Sequence, residues 1–427
     1  MSTTARSVVT CLLNRRLFLA LALSLLAVWL GGNLYSISQA ARERAADDGG
    51  TVHAESEFVN RVPVFANDVV YNPVDQMLYV SVPSSVGPGG NSIVSVNPTT
   101  GVVGTPVFVG SEPGKLSMSD DGHTLYVFLE GAYAVRRYDT LTQTPGQRFT
   151  VGQDSFFGVY RAGDLAVAPG NPNLVAVARY YLGTSPLEAG VAVFDNGVQR
   201  TTTTPGHIVG ANSLAFSASE TKLYGGGDQP LETMTVNASG VTIASNTSFN
   251  VGQSIKFADG RIYSSSGQVV NPDTGVLLGT FSGTTGTIAF VPDPTVGRAY
   301  YVVRDFSGGA ITLKAYDINT FVQVGSATLA GITGDPTALV RWGTNGLALR
   351  TSTGQLQIIR TSLIPSADPS PTPTPPLPTP TPTPTPVVPT FIRKVTLPNN
   401  DMVINPTNQQ LYLSVPSSVG ARGNSVT

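Results

Sequence analysis

The sequence predicts an all-β protein: a seven-bladed β-propeller closed by an N-terminal strand, preceded by a signal segment and followed by an incomplete second propeller. Three observations lead there. Hairpins of one type recur seven times between about Glu57 and Pro365. The composition suits strands and tight turns rather than helices, with 45 Gly, 32 Pro and only 12% Asp, Glu, Lys and Arg. Finally, NDVVYNPVDQMLYVSVPSSVGPGGNSIV (Asn67–Val94) returns 333 positions later as NDMVINPTNQQLYLSVPSSVGARGNSVT (Asn400–Thr427), identical at 18 of 28 positions.

The elements follow in chain order. Residues 1–40 read as a signal peptide or a signal anchor. Arg6, Arg15 and Arg16 precede the apolar run Leu17–Leu30, and Ser38-Gln39-Ala40 offers a small-x-small cleavage site. No charge interrupts Leu17–Ala40, so an uncleaved anchor is the alternative; in either case the rest of the chain is exported. Asn14–Leu19 also has the outline of a twin-arginine motif, which an ordinary basic segment explains as well. The only cysteine, Cys11, lies in this segment, so a cleaved chain has no disulfide and no thiol chemistry. Residues 41–56 are a polar connector.

Residues 57–365 are the predicted propeller. The first hairpins begin at Val69, Leu116, Leu165, Leu214, Ile255, Ile288 and Ala338, each turning on Gly, Asn, Asp or Pro. Their spacing, roughly 30 to 50 residues, matches a four-stranded blade. Six units continue into a second hairpin, such as SIVSVNPTTGVVGTPVF, whereas the last ends after a third strand. Phe58–Phe65 is a spare strand ahead of the first hairpin, and pairing it with the last unit would cover an exposed edge. Residues 366–389 alternate Thr and Pro, the mark of a semi-rigid polyproline spacer, with or without O-glycosylation. Residues 390–427 restart the pattern and cannot complete a ring. They are expected to be loosely ordered, as a fragment of a longer tandem protein or as a natural truncation.

The unit Gly110–Gly152 resembles the YVTN-type β-propeller repeat family. It carries GSEPG before the first strand, then SDDGHTLYV, then a third strand ending in Tyr138-Asp139. The match is partial in the other units. The resemblance implies tandem propellers on an exported protein and specifies architecture rather than chemistry.

Little in the chain points to catalysis. His53, His123 and His207 have no metal-ligand spacing, and neither a nucleophile elbow nor a phosphate-binding loop is present. Asp120-Asp121-Gly122 reads as a hairpin turn rather than a calcium loop. A formal charge of −2 without a basic stripe excludes general nucleic-acid binding. Membrane contact is expected only through an uncleaved N-terminal segment. The candidate site is the central channel, where the first strands begin near Asp68, Lys115, Asp164, Asn212, Lys256 and Asp335. These residues either solvate a polar channel or hold a ligand. A hard cation such as Ca²⁺ is one candidate, as in gluconolactonase-like propellers, although two lysines and the lack of a first-strand Glu depart from that pattern. Tyr180 and Tyr181, beside the long loop Thr184–Gly190, are candidate ligand contacts. The expected function is a non-enzymatic, exported module that binds a protein or glycan at the cell surface, outside the cell or in the periplasm, with no cofactor. The alternative is a lactonase-like, metal-dependent hydrolase.

Overall fold

The computed structural model describes residues 52–53, 58–185, 187–206, 212–305, 309–365, 401–421 and 424–426. The export signal, Cys11, His207, the Thr-Pro spacer and the strand expected near Phe391 lie outside the described residues. Among the described residues no helix is long and apolar enough to cross a membrane. The chain forms two compact units, Met1–Asp368 and Pro369–Thr427.

Among the described residues the first unit holds one two-stranded hairpin and seven sheets of three to five strands, antiparallel except for one edge pairing. The first comprises Asp68–Asn72, Met77–Val82, Ser92–Val96 and Val107–Phe108. The second runs Pro113–Met118, Thr124–Leu129, Ala134–Asp139 and Thr144–Thr150, and the third Arg161–Ala168, Asn171–Tyr180, Glu188–Asp195 and Val198–Gln199. The fourth has three strands, Ser213–Phe216, Lys222–Asn237 and Gly240–Gly252, because no turn divides the 16-residue Lys222–Asn237. Breaks in register at Gly227, Pro230 and Thr233 bend that strand where a turn was expected. The fifth comprises Ile255–Ala258, Arg261–Ser264, Gln268–Asn271 and Val276–Thr280. The sixth comprises Phe290–Asp293, Arg298–Arg304, Ile311–Asp317 and Gln323–Leu329, and the seventh begins Pro336–Trp342, Gly346–Thr351 and Gln355–Arg360.

Phe58–Phe65 pairs antiparallel with Gln355–Arg360, with Phe58 opposite Arg360. Two elements were not expected. Val52–His53, placed in the polar connector by the sequence, pairs in parallel with Gly325–Ser326 at the outer edge of the sixth sheet. That edge presents unpaired backbone groups, which any nearby extended segment can satisfy. A small hairpin, Gln153–Asp154 with Gly158–Val159, stands between the second and third sheets.

Seven apolar clusters hold the unit together, and each is shared by two successive sheets. Tyr79, Ile93, Leu116 and Val127 join the first to the second, and Phe128, Val135, Leu165 and Val177 the second to the third. The cluster of Val62, Val69, Leu78, Trp342 and Leu356 joins the seventh to the first through the N-terminal strand. Many of the strand tyrosines are buried, and several of their hydroxyls find backbone acceptors, although that of Tyr263 has none among the described residues. Tyr126 donates to the Pro172 carbonyl at 2.9 Å, and Tyr301 donates to that of Ser264 at 2.9 Å. The SDDGH segment is a hairpin turn, with Gly122 at φ +68°. A Cβ there would lie 2.3 Å from Asn72 Oδ1, whose amide donates to the Gly122 carbonyl at 2.8 Å, so only glycine lets this turn dock on the first sheet.

In the second unit Asp401–Asn405, Gln410–Val415 and Ser425–Val426 form one antiparallel sheet. Met402, Val403, Ile404 and Leu411 are exposed on it, in the repeat positions that are buried as Val69, Val70, Tyr71 and Leu78 or half-buried in the first unit.

Candidate functional site at the channel mouth

The first strands of the seven sheets touch in sequence, and the seventh touches the first. Their starts enclose an open cavity of about 550 Å³. Asp68, Lys115, Asp164, Asn212 and Lys256 all line it, together with Gln253, Ser254 and Thr337. Asp335 does not. Its carboxylate forms an ion pair with Arg304 of the preceding sheet, 2.6 Å from Nε, and its N–H donates to Ser352 Oγ at 2.8 Å. A bulge between Pro336 and Ala338 shifts the register, and Thr337 takes the place at the cavity.

The same device aims Lys115 and Asp164. The register slips between Pro113 and Leu116 and between Ala162 and Asp164, so three of the seven first strands bulge at the mouth. Bulges re-aim side chains that a regular ladder would alternate. Thr337, Gln253 and Ser254 carried no distinguishing sequence signal, because uncharged polar residues are common at strand starts.

Both carboxylates serve the architecture. Asp68 Oδ2 accepts the Leu116 N–H of the second sheet at 3.0 Å, and its Oδ1 accepts the Val69 N–H at 2.9 Å. Asp164 Oδ2 accepts the Leu214 N–H of the fourth sheet at 2.8 Å. Hydroxyls fill the alternate seams: Ser117 Oγ accepts the Val167 N–H at 3.1 Å, and Ser213 Oγ accepts that of Ile255 at 3.2 Å. From the first sheet to the fifth, each first strand is thus fastened to the next by one side chain accepting a backbone N–H.

The cations are less committed. Lys256 Nζ donates to the Leu339 carbonyl at 2.9 Å, reaching from the fifth sheet to the seventh, and passes 5.6 Å from the Phe290 ring centroid. Burial pushes its ammonium down to about 8, against the pull of Asp68 and Asp164. Lys115 lines the cavity and is solvent-accessible although ringed by protein. The Asp68 carboxylate raises it above the usual lysine range, with burial opposing. Among the described residues its ammonium has no hydrogen-bond partner. Burial pushes Asp164 up, and Lys115 offsets part of that. Arg350 adds a third cation beside Asp68; its Nε donates to the Ala66 carbonyl at 2.8 Å and its guanidinium to Thr337 Oγ1 at 2.9 Å.

This donor set does not fit a divalent cation. Such an ion needs several convergent oxygens, and here the two carboxylates are tied to backbone N–H groups with ammoniums as their counter-charges. Among the described residues no three His, Cys, Asp or Glu side chains gather as a metal site.

Tyr180 and Tyr181 stand apart from the cavity lining. Tyr181 is buried, with its ring 5.1 Å from Phe157 and 5.4 Å from Tyr160. Tyr180 is half-buried at the end of its strand, opposite Arg161. The rings open to solvent here are Phe156 and Phe157, on the unforeseen hairpin.

Comparison with known proteins identifies the architecture. The chain is similar to the β-propeller domain of Cps50 (Swd1) from Myceliophteria thermophila, with a TM-score of 0.53 and 13% identity, over 70% of this chain and 99% of that one. The fold is a β-propeller. No protein-family model matches the chain, and no curated protein matches it. At this identity the likeness carries the fold alone.

Proposed function

We propose that the chain is an exported, non-enzymatic binding module: a seven-bladed propeller of the YVTN type, closed by Phe58–Phe65 and repeated after a Thr-Pro spacer. The seven clusters between successive sheets and the pairing of Phe58 with Arg360 support the closed ring. The apolar run after Arg16 supports export. A second ring on a stiff spacer suits multivalent contact with a protein or glycan at a cell surface.

One observation carries the choice of binding over catalysis. The mouth holds ammoniums beside carboxylates already spent on seams between sheets, which favours capture of a ligand over activation of a metal-bound water. The competing reading is a lactone hydrolase with a channel cation. Lactone hydrolysis measured with and without chelator decides between them. The expected result is no chelator-sensitive turnover; turnover that chelator abolishes, and that Asp164→Ala removes, would overturn the binding reading.

A further inference from the structure

The hydrogen-bond inventory of the channel mouth is unbalanced. Each Asp68 oxygen already accepts one backbone N–H, and Asp164 Oδ2 accepts that of Leu214. On the donor side, the Lys115 ammonium is uncommitted among the described residues. Lys256 has spent one of its three N–H bonds, on the Leu339 carbonyl. Asn212 and Gln253 add exposed carboxamides to the same lining. The lining carries two ammoniums and two carboxylates; the carboxylates are engaged by backbone N–H groups, whereas the Lys115 ammonium is not engaged among the described residues. The matching ligand is rich in acceptors and negatively charged.

The walls add a second requirement. Ile288 is 39% exposed in the lining, and the edges of Leu116, Leu165, Leu214 and Leu339, otherwise buried between sheets, complete it. At about 550 Å³ the space falls within the range of organic-ligand pockets and exceeds what an inorganic ion fills. A carbon skeleton against these side chains would bury apolar surface that a hydrated ion cannot.

We propose that the channel mouth is a receptor site for a small organic carboxylate, its carboxylate held by Lys115 with Lys256 as the second cation and its carbon skeleton against Ile288 and the apolar edges of the lining. Lys115 is the principal contact because its bulged position frees it from the ladder and leaves its N–H bonds unspent. Lys256 is braced across the ring by Leu339 and is pre-positioned.

The proposal rests on the binding reading and is tested separately from it. The full chain is titrated at low ionic strength with succinate and benzoate, with their methyl esters as neutral controls and sodium chloride at matched ionic strength. Calorimetry and the melting temperature are the readouts. At least one carboxylate should bind where its ester and chloride do not. Lys115→Gln should weaken that binding by about tenfold or more, the weight of one charge-assisted hydrogen bond, and Lys115→Arg should restore much of it. Lys222→Gln, which alters an exposed lysine paired with Asp273 away from the cavity, should bind as the parent does. If Lys115→Gln fails to fold, Lys256→Gln must show the loss instead. No response to either carboxylate, or one shared equally by ester, chloride or the lysine variants, overturns the proposal. That outcome leaves capture of a macromolecule standing, whereas chelator-sensitive turnover would sink the binding reading whatever succinate does.

Discussion

At the residue scale the most instructive side chain lies away from the mouth. Glu232 is 2% exposed in the longest strand, and its Oε2 has no hydrogen-bond partner among the described residues. Burial pushes its carboxyl up to about 7, where the usual carboxylate titrates near 4.5. The folded state therefore holds the proton more tightly than the unfolded state between those two values. Stability falls as pH rises through that window, and the penalty is complete above it. Glu232→Gln removes the charge without emptying the space. Urea unfolding should show the variant more stable than the parent at pH 8, on the order of 2 kcal/mol, and no more stable at pH 4. Equal gains at both pH values would mean that packing rather than charge sets the effect. Nothing in the sequence marks Glu232, because an acidic residue beside Thr233 and Thr235 looks solvent-facing until the sheets are packed. Asp335 failed for a related reason. Its position at a strand start was read correctly, but Arg304 holds it from another sheet and a one-residue bulge moves Thr337 into its place.

At the level of elements the strands were legible because their grammar is local. Alternating apolar residues, Leu-Tyr pairs and Gly, Asn or Asp turns place the seven first hairpins where the structure has them. The misses occur where the local grammar is silent. Lys222–Asn237 contains three glycines and a proline yet continues as one strand, since register breaks absorb what turn residues usually signal. Val52–His53 pairs only because an edge is available. Phe58–Phe65 is the element with the most at stake: it covers the Gln355–Arg360 edge and sends Val62 into the cluster between the seventh and first sheets. A chain starting at Ala66 should lose on the order of 3 kcal/mol of stability, one or two buried side chains' worth, and should self-associate through the uncovered edge. Urea unfolding and size-exclusion chromatography test this; a monomer with an unchanged midpoint would show that the strand is dispensable.

For the whole molecule, the mouth was legible as a location and not as a chemistry. Counting to the start of each first strand finds five lining residues, because the fold places those starts around one axis. Counting does not reveal that Asp68 and Asp164 are fasteners between sheets, which reverses the meaning of their charge: they organise the ring, and the lysines face what enters it. The register of Phe58 against Arg360 has one more consequence. The two ends of the propeller unit are neighbours, so its beginning is a matter of gene order rather than of physics. Joining Pro365 to Phe58 through a few glycines and serines, and cutting between Asp259 and Gly260, would permute the chain circularly. That turn is exposed, and a Cβ on Gly260 would meet nothing within 4 Å. The permuted protein should unfold in the same number of transitions as the parent measured beside it, because every seam is rebuilt; a broader or additional transition in the permutant alone would show that the native starting point matters. A ring closed in the way proposed above tolerates its gap anywhere the loop is slack.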